Sequence, residues 1–239
     1  MVTIPMKGIV TPNDMAEVYS WLGYDVVTPN DLSEALNNAN GEDITLEINS
    51  PGGYVDAGSE MYTALKKYSG NITAQIVGQA CSAASWIALA ADKVEMSPTA
   101  QLMIHRASTG VDGNSDDIAS ALQSLNSLDA AFVDLYSKRS GMDKQDVYRM
   151  MCKTTWMNAK EAVNNGFADA IMFEEDAAPT IINAYGIPTL SNQMITKVKN
   201  LLHGKSAENV AKPPQTKQEN KKNNSQLQEK LAILFGKEN

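Results

Sequence analysis

Short apolar runs alternate with longer stretches of helical spacing over the first 175 residues. Each apolar run has the length of one strand, and most end at a glycine, a proline or a polar turn. The predicted strands cover residues 3–10, 44–48, 72–77, 93–96 and 100–104, and Gly78 is expected to end the third of them. Because strands and helices alternate, we expect an α/β fold with a parallel sheet and right-handed crossovers.

Apolar residues return every three or four positions between the strands, which predicts helices. The predicted helices cover residues 55–68, 83–91, 115–140 and 143–152, with a further helix that begins near residue 28 and ends at Gly41 and another capped by Asn158. An amphipathic helix as long as 115–140 usually just covers a core.

Ser82 stands where a strand passes into a helix, a position that exposes a nucleophile at the edge of a sheet. The alternative is that the small residues around it only pack a helix against a sheet and that Ser82 is an N-cap. Ser85 is a weaker candidate, since it lies one helical turn further on. Cys81 is a chemical rival directly before Ser82.

Two histidines are the only imidazole bases available, His105 and His203. His203 lies in a polar, lysine-rich stretch, whereas His105 follows the predicted strand 100–104. If a histidine activates Ser82, it is therefore His105. The glycines of the 48–53 stretch, Ile-Asn-Ser-Pro-Gly-Gly, can turn backbone N–H groups toward a carbonyl oxygen and form an oxyanion hole. The same glycines are also compatible with an ordinary Pro-Gly turn.

Four ordered motifs resemble the ClpP-like serine proteases, specifically those of phage head-maturation cassettes. The motifs are residues 48–53, 78–82, 102–105, and 156–162 with 166–169, and the resemblance runs from about Ile4 to about Phe173. It implies a crotonase-like β-α superhelix in which the long helix forms a handle between rings. It also implies Ser82 as nucleophile, His105 as general base and the amides of Gly53 and Ala83 as the oxyanion hole.

Thr154 occupies the position at which this family carries the acid that orients the histidine. A hydroxyl can accept a hydrogen bond from the imidazole, but it does not stabilise the imidazolium by charge, and loss of the carboxylate in a triad costs up to about 10⁴ in rate. Thr154 is the candidate third member. Asp169 is an alternative, although its place in the motif suggests a structural role at the start of a strand.

The composition of the chain indicates which classes of partner and cofactor are expected. The chain has 239 residues, a hydrophobic content of 43% and a net charge of −8. The acidic balance and the lack of a basic patch argue against nucleic acid as the main partner. No apolar run is long enough to span a membrane, no signal peptide is recognisable, and we expect a cytoplasmic protein. The two cysteines have no metal-ligand spacing, and we expect no metal and no organic cofactor.

The predicted organisation is a protease domain at 1–175, an extension at 176–203, and a disordered linker with a short amphipathic tail at 204–239. The resemblance implies a homo-oligomeric ring, commonly a double heptamer, and protein substrates, which for the phage relatives are head or scaffold proteins. An AAA+ unfoldase serves the housekeeping relatives.

Three candidate functions are compatible with the sequence. The first is a serine endopeptidase that acts in phage head maturation. The second is a catalytically weak or inactive ring subunit, suggested by Thr154. The third is a crotonase-type acyl-CoA enzyme, which shares the fold but uses paired acids rather than a Ser/His pair.

Overall fold

The computed structural model describes residues 2–174 and, beyond them, the backbone of two short strands. The chain divides into two units, Met1–Glu175 and Asp176–Asn239. The strands of the first unit are β1 Val2–Val10, β2 Val26–Val27, β3 Ile44–Gly53, β4 Ile72–Cys81, β5 Lys93–Met96, β6 Gln101–Ile104, β7 Thr155–Asn158 and β8 Ala170–Ile171. The second unit contributes β9 Ile181–Ile182 and β10 Pro188–Thr189, which pair with each other.

Seven helices lie between the strands of the first unit. They are α1 Ala16–Trp21, α2 Pro29–Ala39, α3 Val55–Lys67, α4 Ala83–Ala88, α5 Ser115–Ser140, α6 Lys144–Cys152 and α7 Ala159–Asn164, and a short 3₁₀ turn, Asn13–Met15, precedes α1. Cap residues fix several of these helix starts. Thr28, Asn114 and Asn158 each form a capping box with the acidic residue three positions on.

The sheet has the strand order β2-β1-β3-β4-β5-β8, and β6 and β7 lie off this path. All of its pairs are parallel except β6 with β7, so the predicted parallel α/β sheet is confirmed. The antiparallel β7 and the edge strand β2 were not predicted. Both are too short to show a periodic pattern of their own.

Strand β4 has two successive partners on one side. Its first half, from Thr73 to Ile76, pairs with β5, and its second half, from Gln79 to Cys81, pairs with β6. The prediction that Gly78 ends this strand is therefore wrong. A Cβ atom at Gly78 would collide with the side chain of Asn49, whose Oδ1 accepts from the Gln79 amide at 3.2 Å. The glycine makes room for a neighbouring side chain, and the strand continues to Ser82.

The core lies between the sheet and helices α3, α4 and α5. Helix α4 is buried along its whole length. Its Trp86 stacks on Phe132 of α5, with ring centroids 4.2 Å apart, and Tyr136 of α5 packs on Phe167 at 5.9 Å. The long helix is thus held against the body by its second half. Its first half is mostly exposed, including Ile118 and Leu122.

Several sequence predictions fall outside the described residues. These are the disordered linker, the amphipathic tail and His203. Among the helices that are described, none is long and apolar enough to cross a membrane.

Candidate active site

Ser82 follows directly on β4 and has a backbone conformation that few residues other than glycine adopt. Its φ is 52° and its ψ is −121°, and such strain persists only where the surroundings enforce it. Ser82 occupies the N-cap position of α4, yet its side chain makes no capping hydrogen bond. The hydroxyl is directed elsewhere, which argues against the purely structural interpretation of this serine.

The partner of that hydroxyl is His105, with 2.7 Å between Ser82 Oγ and His105 Nε2. His105 comes directly after β6, and the amide of Ser82 donates to the carbonyl of Met103 in that same strand at 3.0 Å. Strand β6 therefore holds the serine and carries the histidine. Both residues lie at the carboxyl edge of the sheet, where sites of parallel sheets are found.

Partial burial lowers the pKa of His105, because desolvation disfavours the imidazolium, and the negative charge of Asp129 opposes this shift. The imidazole is consequently neutral at pH 7. A neutral imidazole that accepts at Nε2 carries its proton on Nδ1. The pair thus has the protonation state that a general base needs.

A buried hydrogen-bond chain holds the strained serine peptide. Ser85 Oγ donates to the carbonyl of Ser82 at 2.6 Å, and it accepts from the hydroxyl of the buried Tyr136 at 2.7 Å. The Ser85 amide donates to the same Ser82 carbonyl at 2.9 Å. Ser85 is therefore a buried support of Ser82 and has no open face for a substrate.

Cys81 is buried, and desolvation raises the pKa of its thiol to about 11. Only a thiolate is a strong nucleophile, so at pH 8 about one molecule in a thousand is reactive at this position. Burial and the raised pKa therefore both disfavour Cys81 as the nucleophile at neutral pH. Cys152, by contrast, is exposed.

We expect iodoacetamide at pH 8 to alkylate Cys152 quickly and Cys81 at least a hundredfold more slowly, because Cys81 is buried and has a raised pKa, whereas Cys152 is exposed. Peptide mapping by mass spectrometry over a time course measures both rates in one sample. Equal rates at the two cysteines would contradict the burial of Cys81. A Cys152→Ser variant shows the slow site alone.

The glycine turn at the end of β3 lies against the start of α4. A Cβ atom at Gly52 would come within 2.8 Å of the Ala83 amide nitrogen, and one at Gly53 would collide with the carbonyl of Val10. The hydroxyl of Ser50 accepts from the Gly52 amide at 3.1 Å and fixes the turn. Ala83 is the first residue of α4, so its N–H has no acceptor within the helix. The residue in contact with the Ala83 amide is thus Gly52, and Gly53, the predicted oxyanion-hole residue, is the next residue along the chain.

Thr154 directly precedes β7 and makes no hydrogen bond with His105 in the described structure. The last pair of the β6–β7 ladder is Ile104 with Thr155, and His105 and Thr154 are the residues that adjoin this pair. Thr154 is exposed, and its φ of 51° is unusual for a β-branched residue. Its assignment as third member stays a prediction.

Asp169, the alternative acid, is engaged elsewhere. Its Oδ2 accepts from the Val94 amide at 2.7 Å and from Arg139 Nη2 at 2.6 Å. These contacts tie β5 to the segment before β8, in agreement with the structural role expected for this residue.

Sequence reasoning missed Asp129. This aspartate of α5 is only 3% exposed, and it is the charged residue whose field reaches His105. The signal was present, because residue 129 lies four positions after Leu125 and four before Val133, on the apolar face of an amphipathic helix. A charge at a core-facing position requires a partner inside the fold.

The model of the Clp protease family matches residues 30–175, which is more than half of the chain and includes all of the site residues described above. The chain belongs to the Clp protease family.

Curated relatives agree with this membership. The proteins named ATP-dependent Clp protease proteolytic subunit 1 of Chlamydia muridarum and of Chlamydia trachomatis are each 31% identical over 137 residues, which span 56% of this chain and 71% of theirs. Among solved structures, the ClpP1 N165D mutant from Listeria monocytogenes is similar in fold. It has a TM-score of 0.60 and 21% identity, and the match covers 73% of this chain and 92% of that one.

This Clp family member therefore has the ClpP-like α/β fold and combines it with an Ser82–His105 hydrogen bond. Residues 2–174 contain no group of three or more His, Cys, Asp or Glu side chains with the geometry of a metal site.

Proposed function

We propose that the protein is a serine endopeptidase that hydrolyses peptide bonds of protein substrates, with Ser82 as nucleophile and His105 as general base. The observation that carries the proposal is the 2.7 Å hydrogen bond between Ser82 Oγ and His105 Nε2 at the carboxyl edge of the sheet. Membership of the Clp protease family supports it.

In the proposed reaction, Ser82 Oγ attacks the carbonyl carbon of the substrate while His105 Nε2 takes the hydroxyl proton. The amides of Gly53 and Ala83 donate to the oxyanion that forms. The imidazolium then gives its proton to the leaving amine, and the C–N bond breaks to leave an acyl-Ser82 ester. A water molecule, deprotonated by His105, hydrolyses this ester and restores the serine.

A fluorophosphonate probe tests the proposal, because it labels only serines that are activated by a base. We expect the full-length protein to be labelled on Ser82 and the Ser82→Ala variant to show no labelling. The labelled peptide is identified by mass spectrometry. Ser108→Ala is the matched control, since Ser108 is an exposed serine three residues from His105, and it should be labelled like the wild type.

Absence of labelling in an assembled, folded wild type would overturn the proposal and favour the second candidate, a weak or inactive ring subunit. The observation in favour of that candidate is that Thr154 makes no hydrogen bond with His105 among the described residues. A crotonase-type acyl-CoA enzyme would likewise remain unlabelled, and its paired acids are not what surrounds Ser82.

We also propose that the protein assembles into homo-oligomeric rings, stacked as a double heptamer, through the first half of α5. Ile118 and Leu122 support this, being 53% and 57% exposed on the same face of the helix, one turn apart. Exposed apolar residues at helical spacing are typical of an interface. Native mass spectrometry of the full-length protein measures the number of subunits, and a monomer at micromolar concentration would contradict the proposal.

The proposal extends to the substrates, the location and the partner of the protein. The motifs resemble those of phage head-maturation proteases, which supports phage head or scaffold proteins as substrates and the host cytoplasm as location. The chlamydial relatives are named ATP-dependent Clp protease proteolytic subunit 1, and this ATP dependence supports an ATP-driven unfoldase as partner. Degradation of a folded substrate with and without such an unfoldase and ATP separates the two settings.

A further inference from the structure

The proposed mechanism leaves one buried charge without a role, the carboxylate of Asp129. Both of its oxygens are engaged. Oδ1 accepts from the amide of Ala107 at 2.9 Å, and Oδ2 accepts from Nε of Arg106 at 2.6 Å. The two donors are the two residues that directly follow His105. Asp129 thus clamps the chain at the point where it leaves the histidine.

The histidine lacks the partner that a triad normally provides. Nε2 of His105 is bonded to Ser82, and within residues 2–174 its Nδ1 has no hydrogen-bond acceptor. Thr154 is exposed and does not fill this role in the described structure. The orientation of the imidazole therefore depends on how firmly its own backbone is held, and on nearby charge.

We propose that Asp129 is the positioning residue of the Ser82–His105 pair: it fixes the segment after His105 through Ala107 and Arg106, and its negative charge stabilises the imidazolium. The inference rests on the proposed protease function and deepens it, because it assigns to α5 the task that the family position of Thr154 leaves undone. Burial of the carboxylate strengthens the interaction, since water screens it little.

The charged and titratable groups around the histidine include one anion and one cation whose removal should shift the pKa of His105 in opposite directions. Asp129 approaches from α5, and Arg106 belongs to the loop of the histidine. Helix α6 contributes Tyr148, whose ring lies 5.5 Å from the guanidinium carbon of Arg106, and Cys152, whose charge when ionised acts on Arg106. Removal of the anion should lower the pKa of His105. Removal of the cation that neutralises it should raise the pKa.

The experiment compares the variants Asp129→Asn and Arg106→Gln in the full-length protein. His203→Asn is added throughout, because the chain has two histidines and this change leaves His105 as the only imidazole. Two quantities are measured as functions of pH: the ¹³Cε1–H resonance of His105, and the second-order rate constant of fluorophosphonate labelling at Ser82. Asp134→Asn is the matched control, an exposed aspartate of the same helix that is paired with Lys144.

We expect Asp129→Asn to move the His105 titration and the acid limb of the labelling profile to lower pH. It should also reduce labelling at pH 7 by roughly 10- to 100-fold, because a less firmly held base is misplaced. Arg106→Gln should move both curves to higher pH, and Asp134→Asn should move neither. A purely structural role for Asp129 would reduce labelling without shifting the titration.

The inference is overturned if Asp129→Asn titrates like Asp134→Asn, or if Thr154→Ala produces the shift and Asp129→Asn does not. If Asp129→Asn fails to fold, Arg106→Gln still decides, since the Arg106 side chain is 40% exposed and the variant still contains the Asp129 carboxylate. A wild type that is never labelled would defeat the proposed function alone, because the resonance of His105 reports the influence of Asp129 without any activity.

Discussion

Replacement of His105 by alanine is expected to lower kcat/KM for a peptide substrate by about 10⁴ and to slow fluorophosphonate labelling of Ser82 to a similar degree. The serine hydroxyl then loses the acceptor that lies 2.7 Å from it, and neither Cys81 nor Ser85 is placed to replace the pair. Initial rates with a fluorogenic peptide, compared with the wild type at equal concentration of assembled protein, measure the loss.

The pH dependence of the wild type follows from the same residue. A general base works in its neutral form, and burial lowers the pKa of His105 from its ordinary value of 6.5. The acid limb of kcat/KM should therefore have its midpoint below pH 6.5, with full activity retained at neutral pH. His203→Ala, which removes the other histidine of the chain, should keep both rate and profile. If His105→Ala retained a tenth of the activity, His105 would not be the base.

The second large effect is expected for Gly53→Ala, a decrease of about 10²–10³ in kcat with the chain still folded. A methyl group at this position collides with the carbonyl of Val10, so β3 has to shift away from β1. The shift moves the Gly53 amide relative to that of Ala83, and the proposed oxyanion hole loses one aligned donor. Steady-state kinetics on the variant and the wild type give the change in kcat.

Gly110→Ala is the control for this substitution, since a Cβ atom at Gly110 meets nothing within 4 Å. It should leave kcat and the melting temperature unchanged. Circular dichroism and native mass spectrometry establish that Gly53→Ala is folded and assembled before its kinetics are interpreted. Wild-type kcat in a folded Gly53→Ala variant would remove this amide from the mechanism.

The sequence was sufficient to predict the elements that carry the site. Strands and helices follow from hydrophobic period, and the ends of parallel strands meet at one edge, so Ser82 and His105 were expected to be neighbours. The end of β4 was predicted four residues too early. The glycine that interrupts the apolar run, Gly78, does not end the strand but leaves room for the side chain of Asn49 on the neighbouring strand β3. Local pattern contains no information about such a contact.

The surroundings of the histidine could be predicted only in part: a charge on the apolar face of α5 indicates that Asp129 has a buried partner, but not which one. Thr154 was selected by its position in a motif, which identifies the place opposite His105 but not whether the side chain turns toward it. Asp129 lies on helix α5, 24 positions after His105 in the chain. The packing of α5 against α4 through Phe132 and Trp86 places it beside the two residues that follow the histidine. A contact of that kind depends on the docking angle of two helices.

Strand β6 is connected to both members of the Ser82–His105 pair. Its Met103 carbonyl accepts a hydrogen bond from the Ser82 amide, and His105 follows only two residues later. The proposed nucleophile and base are therefore connected through the same short strand. We expect this hydrogen bond to keep the two residues together when β6 tilts. The long helix α5 is connected to the two residues by separate routes, since Asp129 binds the chain beyond the histidine and Tyr136 binds Ser85, which holds the serine peptide. We therefore expect the Ser82–His105 distance to respond more to a movement of the long helix than to a movement of β6.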